Sequence, residues 1–239
     1  TKKLCTQMKE SGIAAKAVFD CQTRGDSMND EMLGYLKMAG VRTIDFGIET
    51  ASERLMKIIN KGETVQDNIN AVKMAKKAGF QVSATFIMGL PTETREERWM
   101  AYKLAKDLDL DYVRFNNATP YPGTKLYEIA KEENRLNIGP NWSNLNACGT
   151  LVQSPNEESH LAYVPVGATE GELMRDVLKA NFFFSLRPKR VIKLIVERVG
   201  PAGWFTLPKG WYLNPKEIYY FSRFVLNIFT SFIGVLIKK

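Results

Sequence analysis

The stretch TIDFGIETASERLMKIINKGET, residues 43–64, sets a carboxylate, Glu49, at the end of the apolar run Ile44–Ile48. In a strand buried on both faces an unpaired carboxylate costs several kcal/mol, so Glu49 needs a partner. A base such as Arg24 or Lys61 satisfies it, and so do the hydroxyls of a ligand, which donate to its oxygens. A second unusual stretch, FIMGLPTET, ends in Gly89, where a missing Cβ lets backbone approach a ligand, and Pro91 stiffens the turn. Thr85, four residues earlier, offers a hydroxyl to whatever lies inside the sheet. TPYPGT, with Pro120, Pro122 and Gly123, reads as a rigid turn. Metal chemistry has little support: Cys5, Cys21 and Cys148 stand at no ligand spacing, and the lone His160 lies in the polar stretch SPNEESHLAY.

These residues sit at the ends of repeated elements. Runs rich in β-branched and aromatic residues begin at 14 (AAKAVFDCQT), 41 (VRTIDFGIE), 80 (FQVSATFIMG) and 111 (DYVRFNNAT), with helical stretches between them. Asn29, Thr64 and Thr94 stand as helix N-caps, Asp67 and Glu97 complete capping boxes, and Gly40 and Gly79 act as stops. Alternation of strand and helix predicts a parallel α/β sheet whose ligands bind at the C-terminal ends of the strands. Glu49, Gly89 and the pair Asn116–Asn117 all end runs. No GxGxxG follows a strand, so a barrel-like sheet is favoured over a dinucleotide-binding one. The start, TKKLCTQMKESG, reads as mid-helix from Leu4, Met8 and Ile13, and suggests a piece of a longer protein.

The composition is globular, with 45% hydrophobic and 25% charged residues. The net charge of +7 comes from 33 basic residues without a dense Lys/Arg block. That pattern reads as a solvated basic surface, not a nucleic-acid footprint. Three unpatterned cysteines fit reduced thiols in the cytoplasm.

Taken together, MAGVRTIDFGIETASERLMKIINKGET, ATFIMGLPTET and NNATPYPGTKLYEIAKEE resemble the radical S-adenosylmethionine (radical SAM) enzymes, in particular their cobalamin-binding branch. The resemblance covers about residues 1–135, and YVPVGATEGEL and FFFSLRP look like the tail of the same branch. It implies part of a (βα)6 TIM-like barrel whose first two strands are not in this sequence. It also implies a 4Fe-4S cluster, held by a CxxxCxxC loop, that reduces SAM to release a 5′-deoxyadenosyl radical. The 239 residues contain no CxxxCxxC. The cluster ligands and any cobalamin domain are therefore expected outside this chain, which alone is expected to be inactive.

On that resemblance, Glu49 contacts the ribose hydroxyls of SAM, Lys61 its carboxylate, Arg24 lies near it, and Gly89 and Thr85 belong to the adenine side. Phe86 and Ile87 would offer apolar surface to the purine. Each has a plainer alternative: Glu49 paired with Arg24 or Lys61, Lys61 as a helix-end charge, Arg24 as a loop cation. The expected domains are a barrel segment over 1–139 and a helical extension over 140–239. In the extension, Thr169–Leu186 reads as a helix with Glu172 in capping position, and a second starts at Pro188. The apolar segment 218–237 has the length of a membrane span but carries Arg223 and Asn227, so a helix on the membrane surface or docked on another domain is also expected of it. The function so implied is methyl transfer, cyclisation or related chemistry on an unactivated carbon of a small-molecule or lipid-like substrate. The rivals are a cluster-free half-barrel scaffold that docks a membrane or partner, and an unrelated (βα)8 lyase.

Overall fold

A computed structural model describes residues 1–147 and 161–188. Cys148, His160, the second tail helix beyond Pro188 and the apolar segment 218–237 lie outside the described residues. Two compact units divide the chain: Thr1–Ala118 with Pro165–Ala168, and Thr119–Val164 with Thr169–Lys239. The domain boundary expected at residue 139 falls inside the second unit.

The first unit is built on four parallel strands in the order β1-β2-β3-β4: Phe19–Thr23, Val41–Glu49, Gln81–Met88 and Tyr112–Asn117. Helices α1 (Lys2–Glu10), α2 (Asp30–Met38), α3 (Glu53–Ile58), α4 (Val65–Lys77) and α5 (Arg95–Asp107) complete it. This is the α/β architecture of a partial TIM-like barrel. The caps are the expected ones. Asn29 accepts the Met32 N–H, and Thr64–Asp67 and Thr94–Glu97 form reciprocal capping boxes. Gly40 and Gly79 turn out of their helices at φ of 80° and 86°.

Two expectations are corrected. The run ending at Glu49 is not buried on both faces. Ile44, Phe46 and Ile48 are fully buried, while Thr43, Asp45, Gly47 and Glu49 alternate with them on a half-open face. The reason is the period of two: IDFGI interleaves apolar residues with Asp45 and Gly47. β3 repeats the scheme, with Val82, Ala84, Phe86 and Met88 buried and Ser83, Thr85 and Ile87 opposite. Phe86 stacks on Phe115 of β4 with ring centroids 5.4 Å apart. The second correction concerns α1, which does not use the Leu4–Met8–Ile13 face. Cys5 is its buried residue, Leu4 is 59% exposed, and Gly12, at φ 73°, ends the helix region before Ile13.

The second unit contains α6 (Lys125–Glu132), capped by Thr124, and α7 (Glu170–Ser185). Thr169 Oγ1 accepts the Glu172 N–H, as the capping pattern predicts. α7 buries Leu173, Val177, Ala180 and Phe184. No helix among the described residues is long and apolar enough to cross a membrane.

Candidate functional site at the strand ends

β2 and β3 run in register through Gly47↔Thr85, and then Glu49 pairs with Phe86, so Ile48 is an extra residue in β2. This bulge bends the strand end and turns Glu49 into the left-handed region at φ 67°, uncommon for a residue with a Cβ. The carboxylate then folds back over Gly47. A Cβ on Gly47 would lie 2.8 Å from Glu49 Oε1 and 3.3 Å from Lys61 Nζ, so a side chain there would displace this pair from its present position. Glu49 thus lies, in an uncommon backbone conformation, at the C-terminal end of a parallel strand, the end at which such sheets bind ligands.

Lys61 lies in the turn between α3 and α4, flanked by Asn60 and Gly62 at φ of 50° and 74°. Its ammonium donates to the Gly47 carbonyl and lies 3.1 Å from Glu49 Oε1 and 2.9 Å from Glu63 Oε1. The first two are hydrogen bonds; the third is an ion pair in which Glu63 Oε1 accepts no hydrogen bond among the described residues. The Lys61 side chain is 11% exposed and that of Glu63 not at all. Glu49, at 22%, bonds no protein group among the described residues through Oε2. One carboxylate oxygen is clamped and the other is open.

Arg24, at the end of β1, pairs with Asp26 at 2.7 Å, a contact that holds the Asp26 carboxyl below its ordinary range. Its Nη2 would lie 3.8 Å from a Cβ on Gly62, which places it at the same end of the sheet as Lys61. The Asp26 N–H donates to Glu63 Oε2 at 3.3 Å. Arg24, Glu49 and Lys61 therefore converge. Thr85 lies one level into the sheet, where its hydroxyl accepts from Arg114 Nε at 3.3 Å. Arg114 also pairs with Asp45, and Asp45 accepts from Ser83 Oγ at 2.7 Å. The inner face is thus polar at a depth where a closed barrel is usually packed with branched apolar residues.

Gly89 ends β3 at φ 85°, and its N–H donates to Glu93. The turn that follows is tied to the turn after β2. Arg54 donates to Thr92 Oγ1 and Thr92 O, both at 2.8 Å, and pairs with Glu97 at 2.6 Å, while Ser52 Oγ donates to Glu97 at 2.6 Å. Sequence reading missed Gly47, Glu63, the Asp45–Arg114 pair and the Arg54–Glu97 tie. Asp45 was visible in the alternation of β2; the other contacts join residues with no local pattern.

Burial pushes the Glu93 carboxyl up to about 8, against the Gly89 N–H and the Arg98 charge, which pull it down. A carboxyl raised on folding stabilises fully below its unfolded value of 4.5, and that stability is lost as pH rises through about 8. Melting temperatures of the native chain should fall across that window. Glu93→Gln, which mimics the neutral carboxyl, should flatten the fall, and an equal slope in both proteins would refute this origin.

The described residues fit the two implied cofactors unequally. No group of three His, Cys, Asp or Glu side chains among them could hold a metal. Cys5 is on a helix, Cys21 within β1, and burial pushes the Cys21 thiol up, away from the thiolate that iron needs. An iron–sulfur cluster therefore does not fit them. A nucleoside does: the open Glu49 oxygen suits a diol, and Gly89 with Ile87 and Thr85 lies one strand over. Lys61 spends donors on the Gly47 carbonyl and on Glu49 Oε1, while Glu63 Oε1 stands close to it as an ion-pair partner without a hydrogen bond.

Residues 4–105 match the family model described as the Radical SAM superfamily. An uncharacterized methyltransferase of Pyrococcus horikoshii is 38% identical over 194 residues, which are 81% of this chain and 39% of that protein. A putative methylthiotransferase of Methanocaldococcus jannaschii is 33% identical over 117 residues, 47% of this chain and 26% of that one. The chain spans well under half the length of these relatives. Among solved structures, coproporphyrinogen III oxidase of Escherichia coli, described as a radical SAM enzyme, shares the fold with a TM-score of 0.53 at 14% identity, over 77% of this chain and 37% of that one.

Proposed function

From the premise that residues 4–105 carry a radical SAM superfamily domain, we propose that this chain is the nucleoside-binding and substrate-facing part of a methyl-transferring radical SAM enzyme. The observation that carries the reading is the Glu49 carboxylate, held in a left-handed bulge with one oxygen clamped by Lys61 and the other open. Such an acceptor, set at a barrel mouth by its backbone and able to turn from Lys61 to a ligand, matches a ribose diol. When bound, SAM supplies a sulfonium whose carbon–sulfur bond can be cleaved by one electron. The chain's own contribution is to orient the sugar through Glu49 and to seat the base beside Gly89 and Thr85.

Methyl transfer is favoured by the name of the 38% identical relative. Cobalamin, if used, and the cluster ligands belong to domains outside these 239 residues, and membrane-surface association through 218–237 is part of the same proposal. The polar inner face, with Asp45, Ser83, Thr85 and Arg114, favours a hydrogen-bonding substrate over a hydrocarbon one.

The expected behaviour of the chain alone, reconstituted anaerobically with iron and sulfide, is saturable SAM binding without cleavage. 5′-Deoxyadenosine above a no-protein control would overturn the placement of the cluster ligands elsewhere. Failure to bind SAM at millimolar concentration would overturn the nucleoside site and leave the half barrel as a scaffold.

A further inference from the structure

Lys61 is flanked by two carboxylates where one would neutralise it. The second, Glu63, has a side chain with no exposure, lies 2.9 Å from the ammonium through Oε1, and is anchored through Oε2 by the Asp26 N–H at 3.3 Å. A buried carboxylate beyond what charge balance needs is costly, and it persists only if something uses it. We propose that Glu63 is a positioning residue: it keeps the Lys61 ammonium paired when Glu49 turns its carboxylate to the ribose. The inference rests on the nucleoside reading of Glu49.

The charge count explains the need. With Glu49 alone, cation and anion balance, and turning Glu49 toward a ligand strands an ammonium whose side chain is only 11% exposed. With Glu63 present, Lys61 keeps a partner and the cluster holds one carboxylate in excess. Arg24 does not cancel that excess, because its charge is met by Asp26 at 2.7 Å. The spare negative charge is carried by Glu49, the more exposed of the two at 22%. Glu63 is also well anchored for this role. It directly precedes Thr64, the N-cap of α4, and its bond to Asp26 ties the loop after β1 to the loop that carries Lys61.

The test uses the 239-residue chain, with adenosine as probe and 2′,3′-dideoxyadenosine as the control lacking the diol. Glu63→Gln should weaken adenosine binding about tenfold, because Glu49 must then stay on Lys61. In a Lys61→Met background, where no cation needs a partner, the same substitution should change affinity less than about twofold. An equal loss in both backgrounds, or none in either, overturns the proposal, since a merely structural residue would not act through Lys61. A ligand-free arm stands apart from nucleoside binding. Glu49→Gln alone should lower the melting temperature by less than about 4 °C, and Glu49→Gln with Glu63→Gln by about 10 °C. If Glu49→Gln alone falls as far as the double variant, Glu63 does not hold Lys61 and the inference fails. If the native chain binds adenosine no better than the dideoxy compound, the nucleoside reading fails instead, and with it the ribose half of the exchange.

Discussion

Glu97→Ala is expected to cost the first unit about 2–4 kcal/mol, the sum of a lost helix cap and of hydrogen bonds to a charged acceptor. Glu97 accepts from Arg54 Nε and Nη2, from Ser52 Oγ and from the Thr94 N–H. Ser52 is itself buried and caps α3. The Arg54 share is discounted because that side chain is 49% exposed and water screens it. The hydrogen bond from Arg54, with those from Ser52 and the Thr94 backbone, holds the Glu97 carboxyl down to about 2 against its desolvation. A carboxyl lowered on folding stabilises above its unfolded value, here 4.5, and that stability is lost as pH falls through about 2. Urea melts at about pH 6 and about pH 3 check both claims: the native chain should lose stability between them through this group, and the variant should lack that share. A variant within about 0.5 kcal/mol of native at pH 6 would mean the tie is ornamental.

Glu93 and Glu97, four residues apart, thus shift in opposite directions for opposite reasons. Glu93 is buried with few compensating donors, and Glu97 is at a rim where cations and hydroxyls reach it. Both act on the segment that fixes Gly89. The turns after β2 and β3 are therefore held as one piece, through Arg54 and Thr92, before any ligand arrives. Thr92 sits at φ 60°, a conformation that its two bonds from Arg54 help to maintain.

Much of this architecture was legible because it is local. Caps such as Asn29, Thr64 and Thr94 act within three residues, and β2 follows from VRTIDFGIE with its boundaries unchanged. Orientation was harder to read. The spacing of Leu4 and Met8 marks a helix but not the face that finds a neighbour, and Cys5 is the residue buried. The site was half legible. Glu49, Lys61 and Arg24 stand out as charges next to apolar or turn residues, yet the pairing of Glu49 with Lys61 depends on the extra residue Ile48 in β2 and on the left-handed turn around Lys61. Neither leaves a periodic trace. Glu63 reads from sequence as a residue before a helix cap, and only the fold shows its carboxylate against the ammonium.

The partner of Glu49 in the free chain is Lys61, and this changes what its replacement should do. Glu49→Gln keeps the shape and one acceptor but loses charge-assisted bonding to a diol, so SAM affinity should fall by roughly 1.5–3 kcal/mol. A carboxylate that served only to neutralise Lys61 would, on removal, strand a buried cation and lower the ligand-free melting temperature by a comparable energy. Glu63 removes that ambiguity, because its carboxylate, 2.9 Å from the ammonium in the native chain, is left in place by the substitution. Ligand-free stability should therefore hardly move while affinity drops. Glu49→Gly sharpens the contrast. Its backbone is at φ 67°, where a side chain costs of order 1 kcal/mol, so glycine should match or exceed native stability while losing SAM affinity at least as fully. Calorimetric binding of SAM and melting curves without it, on the native chain and both variants, decide the matter. Unchanged affinity with a lowered ligand-free melting temperature in Glu49→Gln would make the carboxylate a strut for Lys61 and remove the sugar from this end of the barrel.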